Sequence, residues 1–153
     1  MEQPAIDISV GDAPVLRVWK GGLIEWSEDQ MNGGPPLHTA KIDPALVART
    51  IADIEAETSG SSGWLDETWT GPDARHTSLV IRSGDREIVN LASWHELFEA
   101  NPRLIVTATG VQPLGARSRD SVFEGQPAEY RRFRSRWNKM RERLRQLIPI
   151  SPR

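Results

Sequence analysis

The chain has 153 residues, with 19 basic and 21 acidic side chains for a net charge of −2, and is 38% apolar and 26% charged. That length suits one domain, residues 1–153, with a continuous core, and six tryptophans with balanced charge mark a globular rather than a disordered chain. Lacking cysteine, it has no disulfide, thiolate nucleophile or cysteine-type zinc site, and no stretch reaches the ~20 apolar residues of a membrane span.

The opening MEQPAIDISV lacks the basic and apolar blocks of a secretory leader. The expected compartment is therefore the cytoplasm, with export following only if a leader had been trimmed away. Leu16, Val18, Trp19, Leu23, Ile24 and Trp26 surround Gly21-Gly22. A glycine pair tolerates the positive φ angles of a two-residue turn, so this segment predicts a hairpin. Asn32-Gly33-Gly34-Pro35-Pro36 reads as a rigid loop, because proline lacks the amide donor and glycine weakens regular structure. Its glycines are not followed by the Lys and Ser or Thr of a phosphate-binding P-loop.

His38 to Ile42 suits a short strand before Asp43-Pro44, an N-cap followed by proline at the first helical position. Leu46, Val47, Thr50, Ile51 and Ile54 then recur at helical spacing over about residues 44–58, with Gly60 placed for a C-terminal cap. Residues 59–75, SGSSGWLDETWTGPDAR, read as a long irregular connection carrying Trp64 and Trp69. Leu79–Ile81 and Ile88–Leu91, joined through Ser83-Gly84-Asp85, predict a second hairpin. Ser93 and Glu96 match a capping box opening a short helix to about Ala100, ended by Asn101-Pro102. Leu104, Ile105, Val106 and Ala108 predict a strand closed by Gly110, and a loop then leads to Pro127.

The last element, 128–147, is a basic amphipathic helix. Tyr130, Phe133, Trp137, Met140, Leu144 and Leu147 form its narrow apolar seam, amid eight basic and two acidic side chains. Residues 1–99 hold seven basic and 17 acidic side chains, whereas 100–153 hold 12 and four. The two parts should attract. Arg134, Arg136, Arg141 and Arg143 flank the seam and should meet acids of the first 99 residues as the helix docks. Arg131, Arg132, Lys139 and Arg145 are left for an external anion.

Strands joined by hairpins predict an α+β fold, with an antiparallel or mixed sheet packed on one side by the helices at 44–58 and 128–147. The favoured function is a non-enzymatic binding or accessory domain recognising another macromolecule, such as a protein partner. Recognition would use the Trp64 to Trp69 loop, a sheet edge, or Arg131, Arg132, Lys139 and Arg145. One alternative is a small metal-dependent hydrolase. Asp66, Asp73 and His76 lie in or beside the tryptophan-bearing loop, and His95 and Glu99 share a helical face at i,i+4. Another is anion or nucleic-acid binding through the last helix, although pI 5.9 and the absence of a recognised motif disfavour nucleic acid. A membrane role is not expected, because it would draw Phe133 and Trp137 out of the core. No cofactor is called for.

Overall fold

The computed structural model describes residues 2–58, 65–70 and 75–149. In chain order the elements are β1 (Ile6–Val10), β2 (Ala13–Val18), β3 (Leu23–Ser27), β4 (Leu37–Lys41), α1 (Pro44–Thr58), β5 (Leu65–Trp69), β6 (Thr77–Ser83), β7 (Arg86–Ser93), α2 (His95–Glu99), β8 (Leu104–Thr107), β9 (Gly110–Pro113), α3 (Arg119–Glu124) and α4 (Ala128–Arg145). A seven-stranded sheet runs in the order β4-β3-β2-β1-β6-β7-β5, and β8 and β9 form a separate hairpin. All pairs in the large sheet are antiparallel except β5 with β7, which makes it a mixed sheet in an α+β fold.

Alternation decides the faces of this sheet. Ile6, Ile8 and Val10 of β1 are buried and stand in register with Ile81, Leu79 and Thr77 of β6, while Asp7 and Ser9 point the other way. On that outer face Arg17 lies across from both Asp7 and Glu25, at 3.6 and 3.7 Å from their carboxylates. The inner side chains join Val47 and Ile54 of α1 and Phe133, Trp137, Met140 and Leu144 of α4 in one core. Each large side chain so enclosed contributes about 1.5–3 kcal/mol relative to exposure in water.

The expected α1 is present over residues 44–58, and the Ala45 amide donates to Asp43 Oδ1 at 2.9 Å. Gly60, its expected cap, lies outside the described residues. The β2–β3 hairpin also forms, but with a four-residue turn rather than a Gly-Gly one. Gly22 N donates to Trp19 O, and only Gly22 of the pair has a positive φ, +97°. A side chain at Gly22 would run into the Ile42 carbonyl, whose residue returns an amide bond to Gly22 O.

Several elements depart from the sequence expectation. β1 and its Gly11-Asp12 turn form a hairpin with β2 that precedes the expected one. The segment read as irregular contains β5, an edge strand held by its parallel register with β7, from Leu65 opposite Val89 to Trp69 opposite Ser93. Gly110 does not close a strand but starts β9, and α3 occupies part of the expected loop, its Ser121 amide bonded to the Ser118 hydroxyl at 3.1 Å. α4 ends two residues early at Arg145, with Leu147 still buried in the turn that follows.

The capping box at α2 is not formed. Ser93 Oγ accepts weakly from the His95 amide at 3.3 Å, and the N-cap is Trp94 with no side-chain bond. Glu96 points instead to α4, where it accepts from Trp137 Nε1 at 2.6 Å and from Arg141 Nε and Nη2 at 3.1 and 3.2 Å. The cost of burying the Arg141 guanidinium unpaired exceeds what a helix cap returns.

Glu96→Ala should therefore lower the unfolding free energy by about 3–5 kcal/mol, because the Arg141 charge is left buried and unpaired. Replacing both partners, Glu96→Leu with Arg141→Met, should cost less than Glu96→Ala alone in urea denaturation. A double variant less stable than the single one would refute this account of the pair.

Candidate functional site

The apolar seam of α4 faces inward along its whole length. Tyr130, Phe133, Trp137 and Leu144 have no exposed surface, and Met140 and Leu147 retain 6% and 4%. A seam this deep carries its flanking arginines against the neighbouring elements. Arg134 makes a two-pronged pair with Glu99 of α2, both contacts at 3.0 Å. Arg136 bonds Glu67 of β5. Arg141 takes Glu96 of α2 and donates to the Gln30 carbonyl at 3.0 Å, while Arg143 grips Glu57 of α1 at 2.7 and 3.0 Å.

All four glutamates belong to the acidic first 99 residues. Burial pulls the Arg134 pKa down, but Glu99 and the Tyr130 hydroxyl outweigh it and leave that guanidinium above its ordinary value. The hydrogen bond from Arg143 holds the Glu57 carboxyl below the usual range. The flanking cations are thus structural pairs rather than a free basic surface.

Arg131, Arg132, Lys139 and Arg145 are exposed, and no carboxylate among the described residues forms an ion pair with them. They do not make one patch. Arg131, Arg132 and Lys139 border a groove of about 700 Å³ that runs along α4 between the end of α1 and Phe123 of α3. Arg136, Arg143 and Ser135 line it too, with Glu57 as its acidic member, already held by Arg143. Arg145 borders a different concavity, beside Glu28 and Asp29 in the loop between β3 and β4. The parts of the groove outside α4 were not visible in the sequence. Phe123 sits on a helix read as loop, and the Ser118 cap was its only local signal.

Trp69 lies on β5 with its ring edge-on to Tyr130 at 5.1 Å and tilted against Phe133 at 6.2 Å. It packs as part of the wall over α4. Trp64 and Asp73 lie outside the described residues, and Asp66 is placed only by its backbone on β5. His76 precedes β6 and is half-buried.

His95 and Glu99 occupy one short helix but have separate partners. His95 is 3% exposed, its Nδ1 lies 2.5 Å from Ser93 Oγ, and its ring stands edge-on to Trp137 and Phe133. Glu99 is taken by Arg134, lies 3.4 Å from Arg119, and accepts from the Val106 amide at 3.0 Å. Among the described residues no three His, Asp or Glu side chains are grouped to hold a metal ion. No helix of the described residues is long and apolar enough to cross a membrane. Comparison with known proteins adds no relative: no family profile, no curated protein and no solved structure matches the chain.

Burial, and secondarily the charges of Arg134 and Arg141, push the His95 pKa well below its ordinary 6.5. The folded protein keeps this ring neutral while the unfolded chain protonates it near 6.5, so the stability it contributes is full above that pH and drains away as pH falls. The loss can reach about 1.4 kcal/mol per pH unit. Thermal melts between about pH 7 and pH 5 should show a steeper fall for the native chain than for His95→Gln, whose amide does not titrate. Equal slopes would mean that His95 is not the group responsible.

Proposed function

We propose that the protein is a non-enzymatic binding domain that recognises an anionic macromolecule through the outward face of α4. One observation carries this reading. After the four seam-flanking arginines have each met a glutamate, Arg131, Arg132 and Lys139 remain exposed along a groove with no ion pair to a carboxylate among the described residues, Lys139 feeling Glu57 only at longer range. Arg131 Nε donates to the Gln126 carbonyl at 3.1 Å, which steadies that side chain and leaves the guanidinium charge unneutralised. An incoming anion therefore meets cations already set on a rigid helix, whose position the buried seam determines.

The alternative of a metal-dependent hydrolase gains nothing comparable. His95 is directed to Ser93 and Glu99 to Arg134, which takes both side chains away from a common centre. The concentration of surplus charge on an otherwise acidic protein is the feature that asks for a partner.

Retention of the full chain on an immobilised sulfated polysaccharide should fall steeply as salt rises, because binding releases counterions. Arg131→Ala, Arg132→Ala and Lys139→Ala combined should weaken retention and flatten the salt slope by about two to three. Arg145→Ala should leave both nearly unchanged, since it lies by a different concavity. Salt-independent retention, or a triple variant that behaves like the native chain, would overturn the proposal.

A further inference from the structure

We infer that the occupant of this groove is an acidic polypeptide segment lying extended along α4; this rests on the anion-binding reading above and specifies its ligand. The residues that α4 gives to the groove run from Ala128 to Arg143 and recur at three- and four-residue intervals, so they form one straight face. At 1.5 Å per residue that face is about 22 Å long, the reach of about seven residues of extended chain. Arg132 and Lys139 stand two helical turns apart, about 10 Å, a separation between the ~7 and ~13 Å spacings of acidic side chains two and four residues apart on one face of such a segment, and within reach of these long side chains.

Two features favour a polypeptide over a nucleic acid. First, among the described residues the one ring that lines the groove is Phe123, half-buried at its border, while Tyr130, Phe133 and Trp137 are turned into the core and Trp69 packs on them, so no row of rings along α4 meets successive bases. Single strands draw about 1–3 kcal/mol per base from such stacking. Second, the acidic member of the groove, Glu57, is paired with Arg143 and lies within electrostatic reach of Lys139, so the positive charge is interrupted at that end. A phosphodiester carries a charge on every unit, whereas a polypeptide can set a neutral residue beside Glu57. Ser135 and Thr58 also line the groove and supply hydroxyls suited to a peptide backbone, and Phe123 with Ala128 forms an apolar end for one aliphatic side chain.

The test uses the full chain and two fluorescent probes, with anisotropy as the readout. One is a peptide alternating glutamate and serine over about ten residues with one central leucine, and the other is an oligothymidylate of matched charge. The expected result is salt-sensitive binding of the peptide, weaker binding of the oligothymidylate, and about tenfold loss of peptide affinity when Arg131, Arg132 and Lys139 are all changed to alanine. Thermal melts of the variant establish that it is folded; these three exposed positions support no buried contact. If the oligothymidylate binds as tightly as the peptide or more so, the polypeptide assignment falls while anion recognition stands. If neither probe binds, or if the triple variant binds the peptide as the native chain does, both fall.

Discussion

A guanidinium buried to 1% exposure ties the molecule together. Arg141 cannot sit inside the core without Glu96, and Glu96 cannot turn inward without giving up the helix-capping role its spacing suggests. The same carboxylate accepts from Trp137, the largest buried side chain of α4, so charge pairing and apolar packing depend on one group. Arg141 also reaches the Gln30 carbonyl, 111 residues earlier, and Gln30 in turn donates to Val15 and Ser27. Through these few atoms the loop between β3 and β4, the short α2 and the long α4 hold one another in place. Such a pair adds little net stability over an apolar substitute. What it supplies here is register: only one rotation and one depth of α4 brings Arg141 to Glu96.

Once that rotation is set, the remaining charges sort themselves. Arg134 falls opposite Glu99, Arg136 opposite Glu67 and Arg143 opposite Glu57, on α2, β5 and α1 respectively. The exposed pairs contribute modestly to stability, since solvent screens them. Their consequence is selective neutralisation, which separates a helix of eight basic side chains into an inner set that is spent and an outer set that is not. Among the described residues, the end of α1 and Phe123 of α3 border the groove beside the outer set.

Much of this was legible in the sequence where one periodicity dominated. The α4 seam, the flanking arginines and their pairing with acids of the first 99 residues followed from heptad spacing and segregated charge, though not which acids, and α1 followed from Asp43-Pro44 and its apolar stripe. Glu96 was misread because a capping box is a local pattern, and no local pattern reveals a buried cation 45 residues away. β5 was missed for a related reason. Leu65-Asp66-Glu67-Thr68-Trp69 has the composition of a solvated loop, and only the edge of β7 and the rings of α4 make it a strand. β1 was missed as well, although Ile6, Ile8 and Val10 alternate ahead of a Gly-Asp turn, because the Gly21-Gly22 signal set the expected opening hairpin one strand later. The groove was invisible for a geometric reason, being lined by residues of three separate helices.

The central seam of the sheet joins β1 to β6, so that Ile6 lies opposite Ile81, 75 residues away. The meander from β1 to β4 can assemble through short turns as soon as it is made, but it leaves one edge of β1 unpaired until most of the chain is present. Closing so long a loop costs entropy before any contact repays it, which sets the pace of folding by topology rather than by the strength of the core. During that interval Ile6, Ile8 and Val10 border an open strand, the kind of edge at which two incomplete copies adhere. β6 is the element that closes this edge, leaving β4 and β5 as the borders of the finished sheet.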